Sequence, residues 1–174
     1  MKVGLVLGGI SDEREVSLLS GKAVLKAIKE LNIDYKLIDP AFGKMQPENE
    51  EDFFKKVDNP RDSSKYIECI DSGLFDDVDV ALLVLHGHFG EDGMIQALLE
   101  MKGVKYTGSG VLSSSLAMDK SMSKIMFQHF HVPTPKWFVV KHNTRDDNLI
   151  RSKIEKFFGY PCIIKPNQQG STIG

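Results

Sequence analysis

The residues Val3-Gly4-Leu5-Val6-Leu7 form a short, nearly unbroken apolar run that Gly8-Gly9 closes. Such a run is too short for a buried helix and lacks polar alternation, so it fits a strand covered on both faces, the kind a parallel sheet holds. The spacing behind it predicts a helix with Val16, Leu19, Ala23, Val24, Ala27, Ile28 and Leu31 on one face, and with Ser11 or Asp12 capping its first turn. Tyr35 to Ile38 supplies a second strand. A strand, a helix and a strand in succession make the unit of a parallel crossover, and the expected fold class is α/β.

Further along, residues 40–65 are polar and acidic, carry Pro47 and Pro60, and read as a peripheral excursion with one weakly amphipathic stretch around Phe53, Phe54 and Val57. Val80 to Leu85 predicts a central strand, Ile95 to Met101 a helix and Val104 to Thr107 a short strand. A helical stretch from Leu112 to Phe127 changes character near Met118-Asp119, and Pro133-Thr134-Pro135 breaks it. A strand (Trp137 to Val140), a helix (Leu149 to Phe158) and a strand (Cys162 to Lys165) follow, leading into a Gly- and Ser-containing loop. With no element after that loop to cover the sheet edge, a continuation of the chain is expected.

Composition narrows the partners. Hydrophobic residues at 41% and charged residues at 26% match an ordinary globular protein. A net charge of −2, without a Lys/Arg cluster, gives no reason to expect nucleic acid or an anionic membrane surface, so small molecules are the expected partners. Cys69 and Cys162 each sit in an apolar run and read as reduced core thiols, which favours the cytoplasm. The opening apolar run is too short for a signal-peptide core or a membrane span.

Four segments carry candidate chemistry. Gly8 to Ser17 lies at the carboxyl end of a strand, where open parallel sheets bind ligands, although it has neither a Walker A loop nor a dinucleotide fingerprint. Glu13 and Glu15 there complement a helix dipole, and Glu13 is the carboxylate placed to hold a substrate ammonium. The loop His86-Gly87-His88-Phe89-Gly90-Glu91-Asp92-Gly93 again follows a strand. Its donors are consecutive rather than at ligand spacing, so hydrogen bonding by His86, and capping by Glu91 and Asp92, rank above a metal site; no metal ligand is assigned. Lys120 either neutralises phosphate or lies on a solvated helix face. Lys165 ends an apolar strand, where its amine would emerge at a sheet edge or pocket, and Gly170-Ser171-Thr172 offers backbone N–H groups and hydroxyls to phosphate oxygens.

In order along the chain, Gly8-Gly9-x-Ser11-x-Glu13-Arg14-Glu15-Val16-Ser17, His86-Gly87-x-x-Gly90-Glu91-Asp92-Gly93, Tyr106-Thr107-Gly108-Ser109, Met118-Asp119-Lys120 and Lys165-Pro166-x-x-x-Gly170-Ser171 resemble the D-alanine:D-alanine ligase family. The resemblance implies a Rossmann-like, pre-ATP-grasp parallel-sheet domain over residues 1–118 and the first part of an ATP-grasp domain over 119–174. It implies ATP and Mg2+ as cofactors, with the Mg2+ ligands beyond this chain, and D-alanine as substrate. A homodimer through the N-terminal domain and a role in peptidoglycan precursor synthesis are also implied. ATP would phosphorylate one D-alanine, whose acyl phosphate a second D-alanine attacks.

By the same resemblance Glu13 looks like the acid holding the first ammonium, with Ser171 in its hydrogen-bonded network and His86 nearby. Lys120 and Lys165 look like phosphate ligands, and Gly170, Ser171 and Thr172 like part of a flap over the phosphates. Residues 40–65 read as an insertion, and Thr172 stands where a second serine is common. A chain of this extent is expected to be truncated and inactive alone. Alternatives are a ligase joining D-alanine to D-lactate or D-serine, another ATP-grasp carboxylate:amine ligase, and a non-catalytic amino-acid-binding or interaction module.

Overall fold

The computed structural model describes residues 1–55, 61–141, 143–144 and 146–170. Three parallel strands, β1 (Lys2–Val6), β2 (Asp34–Ile38) and β3 (Val80–Leu83), form a sheet in the order β2-β1-β3. The chain is therefore α/β, as the opening pattern predicts. Val3 pairs with Tyr35 on one side and Val80 on the other, and Val6 with Ile38 and Leu83. Tyr106 adds a single parallel bridge to Ala81 where a short strand is expected.

The central position of β1 explains its composition. Val3, Leu5 and Leu7 pack on one face with Leu25 and Ile28 of helix α1 (Arg14–Glu30), while Val6 joins the opposite face. That second face is covered by helices α2 (Ser64–Asp71) and α3 (Met94–Lys102) through Tyr66, Cys69, Ile70, Ile95 and Leu99. A strand apolar on both sides is thus clad on both sides, and each fully buried leucine contributes about 1.5–3 kcal/mol of burial.

The helix pattern needs two corrections. On α1 the buried positions are Arg14, Ser17, Gly21, Leu25 and Ile28, whereas Leu19 and Leu31 are 68% and 69% exposed. The predicted stripe is rotated because it counted only apolar residues, and the buried face uses Arg14 and Ser17 as polar anchors. Glu13 precedes α1 without capping it, and Ser11 instead accepts the Glu13 N–H at 3.1 Å through its hydroxyl. At the end of the supposed excursion, residues 40–65, begins α2, which was not expected and whose Tyr66, Cys69 and Ile70, just past that segment, enter the core. Phe53, inside the excursion itself, joins the α1 face of the core, and Val57 falls outside the described residues.

Beyond the sheet, helix α4 (Val111–Met118) and helix α5 (Lys120–His129) flank extended Asp119, whose carboxylate accepts the Met122 N–H at 2.9 Å. That single residue ends one helix and caps the next, the change of character expected there. Helix α6 (Asp147–Phe157) forms where predicted. The strands expected at 137–140 and 162–165 do not: Ile163 and Ile164 are 82% and 84% exposed, and no described strand lies beside them to complete a ladder. No helix among the described residues is long and apolar enough to cross a membrane.

Candidate functional site

The site is built where β1 runs out. Gly8 and Gly9 follow the strand with φ of 79° and 75°, a left-handed pair that lets the chain turn under the start of α1. A Cβ on Gly8 would sit 2.2 Å from Asp39 Oδ2, so the turn also leaves space for a buried ion pair. Arg14 Nη2 lies 2.7 Å from Asp39 Oδ2, and Arg14 Nη1 donates to the Gly9 carbonyl at 2.8 Å. The Nη2 contact is close but lacks the alignment of a hydrogen bond, so it is best described as an ion pair. The Gly9 and Ala41 N–H groups both donate to Asp39 Oδ1 at 2.9 Å. Burial pushes the Asp39 carboxyl up, and Arg14 opposes that shift. Ser17 accepts the Gly8 N–H at 2.8 Å and donates to the Val84 carbonyl at 2.7 Å, tying α1 to both β1 and the end of β3.

This bracing fixes Glu13, only 4% exposed, at the sheet mouth. The second loop approaches from β3. Ser11 donates to the His86 carbonyl at 2.6 Å, and His86 Nε2 lies 3.1 Å from Ser20 Oγ. Glu91 Oε2 accepts the Gly87 N–H at 2.8 Å, while Asp92 accepts the Phe89 and Met94 N–H groups at 2.9 and 3.1 Å. Glu91 therefore closes its own loop instead of capping α3, and Gly93 holds the N-cap position, with Asp92 reaching only the first N–H of the helix at Met94. Ligating atoms of Glu13, His86 and Glu91 all lie within 4.8 Å of one another, a three-donor grouping that consecutive-donor reasoning missed because Glu13 comes from another loop.

The third approach comes from the far end of the chain. The Gly170 N–H donates to Glu13 Oε1 at 3.2 Å. Gln168 and Gln169 line a cavity of about 50 Å³ with Ser11, Asp12, Glu13 and His88. Half-buried Lys120 donates through Nζ to the Gln169 carbonyl, and its backbone N–H donates to the Asn167 carbonyl at 3.0 Å. Gln168 Nε2 donates to Asp119 Oδ2 at 3.0 Å, and the Met122 N–H first, then the Ser121 hydroxyl and this Gln168 amide, hold the Asp119 carboxyl far below the usual carboxylate range.

The structure thus brings together Glu13, His86, Gly170 and, through Gln169, Lys120. Lys165 is exposed, and no described hydrogen bond or ion pair joins it to Glu13; the strand expected to steer its amine into a pocket is not formed. Ser171 and Thr172 lie outside the described residues.

Comparison with known proteins addresses the same architecture. Residues 2–109 match the family model described as the D-ala D-ala ligase N-terminus. The chain belongs to the D-ala D-ala ligase family. Residues 126–174 match the model of the D-ala D-ala ligase C-terminus. Over 173 residues, 99% of this chain, it is 40% identical to D-alanine–D-alanine ligase of Cupriavidus metallidurans, covering 44% of that relative, and 40% identical to D-alanine–D-alanine ligase B of Clostridium perfringens, covering 48%. The crystal structure of the Bacillus anthracis D-alanine–D-alanine ligase superposes with a TM-score of 0.66 at 30% identity, over 100% of this chain and 48% of that one. The same enzyme complexed with ATP gives 0.66 over 97% of this chain and 48% of that one. The chain spans less than half the length of the relatives it matches.

In this ligase-family chain the residues that sequence reasoning left without a role are Arg14, Ser17, Ser20 and Asp39. The signal for Arg14 was present: a charged residue at a position facing the sheet needs a buried partner. Nothing in the sequence pairs it with Asp39, because the two meet only after β1 and β2 align.

Proposed function

We propose that this chain supplies the first-substrate side of an ATP-dependent ligase that joins two D-alanine molecules. The observation that carries the reading is buried Glu13, a carboxylate at the mouth of a parallel sheet, with loop residues 168–170 against it and Lys120 holding that loop. A carboxylate so placed accepts the ammonium of an amino acid, and His86 flanks it. ATP would phosphorylate the carboxylate of that amino acid, and the amine of the second D-alanine would displace phosphate from the acyl phosphate, leaving ADP and phosphate. Lys120 and Lys165 are the cations proposed for the phosphates, with Gly170, Ser171 and Thr172 in the loop over them.

Membership in the family supports this reading, and so do the relatives named D-alanine–D-alanine ligase and the related enzyme solved with ATP. A division near residues 118 and 119 agrees with Asp119 standing between α4 and α5. Among the described residues the three-donor grouping contains a histidine and does not fit Mg2+, which prefers an all-oxygen octahedron, so no step is assigned to Mg2+ here. A cytoplasmic place in peptidoglycan precursor synthesis and a homodimer through residues 1–118 complete the proposal; exposed Leu19 and Leu112 offer apolar contact area for the dimer.

The test is to incubate the whole gene product with ATP and D-alanine and to follow ADP and D-alanyl-D-alanine by mass spectrometry. ADP release without dipeptide overturns the D-alanine reading, and repeating the assay with D-lactate or D-serine as second substrate separates the related ligases.

A further inference from the structure

We propose that Glu13, His86 and Glu91 form a binding site for a divalent transition-metal ion of the Zn2+ class. Their ligating atoms all fall within 4.8 Å of one another, and His86 Nδ1 is 3.9 Å from Glu91 Oε1. Zn2+ bound at roughly 2.0–2.2 Å by nitrogen and oxygen ligands sets tetrahedral donor separations of roughly 3.4 Å, so the His86–Glu91 edge closes by about half an ångström and the edges to Glu13, within 4.8 Å, by at most about 1.4 Å. Small side-chain rotation supplies this, because Glu91 is exposed and Oε1 faces His86 while Oε2 keeps the Gly87 N–H.

Three further features fit an ion better than a chance meeting of side chains. Glu13 arrives from the loop after β1, while His86 and Glu91 come from the loop after β3, so the three donors meet across two separate loops. His86 is already oriented as a metal-bound imidazole is: Nε2 lies 3.1 Å from Ser20 Oγ, which leaves Nδ1 on the side of Glu91. A gradient of exposure, from buried Glu13 through half-buried His86 to exposed Glu91, gives the ion a path from solvent. The imidazole nitrogen selects Zn2+, Co2+ or Ni2+ over Mg2+ or Ca2+.

Binding rests on this geometry alone. Its consequence, that the ion and an amino-acid ammonium compete for Glu13, rests on the ligase reading. The test is calorimetric titration of zinc chloride into the 174-residue chain in a non-chelating buffer, with Co2+ absorption as a second readout and no substrate present, so the outcome does not depend on ligase activity. One equivalent should bind, with a Co2+ spectrum of nitrogen and oxygen ligation. Glu91→Gln, at an exposed position, and His86→Gln should each weaken binding by about tenfold or more, and Ser20→Ala by roughly tenfold. His129→Gln, on exposed α5 surface, should leave binding unchanged, and circular dichroism verifies that each variant is folded. Absence of binding, equal binding by Glu91→Gln and wild type, or a thiolate-to-cobalt band from Cys162 would each overturn the proposal.

Discussion

The backbone N–H of Gly170 donates to Glu13 Oε1 at 3.2 Å, joining positions 157 residues apart. A loop that closes on the carboxylate proposed to hold the substrate ammonium couples the amino-acid site to the segment proposed for phosphate. A Cβ on Gly170 would stand 2.9 Å from Oε1 and 3.2 Å from Oε2, so an added methyl makes the Glu13 carboxylate or the loop give way. Gly170→Ala should therefore withdraw the loop and raise the Michaelis constants for both D-alanine and ATP in the whole enzyme, as steady-state kinetics would register. A change in only one constant would mean that the two sites are not coupled through this contact.

Glu13→Gln keeps the shape and removes the charge. A hydrogen bond to a charged group is worth about 1.5–3 kcal/mol, so affinity for the first D-alanine should fall roughly ten- to a hundredfold while folding is retained. The readout is the first-substrate Michaelis constant alongside a thermal melt; kinetics equal to wild type would remove Glu13 from the site.

Gly87 tests the opposite wall. Its φ is 69°, and a Cβ there would lie 2.7 Å from Glu13 Oε1. Gly87→Ala combines left-handed backbone strain of about 1–2 kcal/mol with displacement of the carboxylate. Both the denaturation midpoint and D-alanine affinity should drop, whereas an Ala at open Gly103 should lower only stability.

The buried pair Arg14–Asp39 makes a prediction about folding. Arg14→Met leaves a carboxylate with no exposure and no counter-charge, which costs about 3–5 kcal/mol in urea denaturation at neutral pH. Burial already raises the Asp39 pKa, and losing Arg14 raises it further. The variant's deficit should therefore shrink as pH falls and Asp39 takes up a proton, and widen as pH rises. A deficit independent of pH would show that lost packing, not the stranded charge, sets the cost.

Much of this architecture was legible. The glycine-terminated run gave the central strand because being clad on both faces demands an unbroken apolar sequence. The rotated α1 stripe shows where that reasoning stops: Arg14 and Ser17 are buried by partners on β1, β2 and β3, and apolar periodicity does not register them. Helix α2 was hidden because Tyr66, Cys69 and Ile70 sit among charged residues in one short helix. Residues 137–140 and 162–165 have strand composition, yet a ladder is a property of two segments and no described neighbour completes it. At the site, Glu13 and His86 were readable from their positions after strands; their meeting with Glu91 and Gly170 depends on tertiary closure.

Asp77 gives a pH prediction at the surface. It is held down to about 2, first by its hydrogen bonds from Lys2 and Lys36, against an ordinary value of 3.8. A depressed folded-state value means that its contribution is present above pH 3.8 and is lost as pH falls through about 2. Asp77→Asn should melt lower than wild type at neutral pH, and the gap should close across that acidic window. High salt should also narrow the gap, since the ion pairs are exposed.

The two lysines separate structural from ligand-directed roles. Lys120 donates to the Gln169 carbonyl and so holds the loop that reaches Glu13, whereas Lys165 is exposed and has no described hydrogen-bonding partner. Lys165→Ala should therefore leave the melting temperature of the chain almost unchanged, within about 0.5 kcal/mol of stability. If its ammonium meets phosphate in the whole enzyme, the same substitution should remove most of the ATP affinity, a loss visible in nucleotide titration. Lys120→Ala should weaken ATP binding and also release residues 167–169, raising amide hydrogen exchange at Gly170, whose N–H is otherwise held by Glu13. Unchanged ATP affinity in Lys165→Ala would leave Lys120 as the phosphate ligand from this chain, because it is the lysine whose contact already ties it to the Glu13 site.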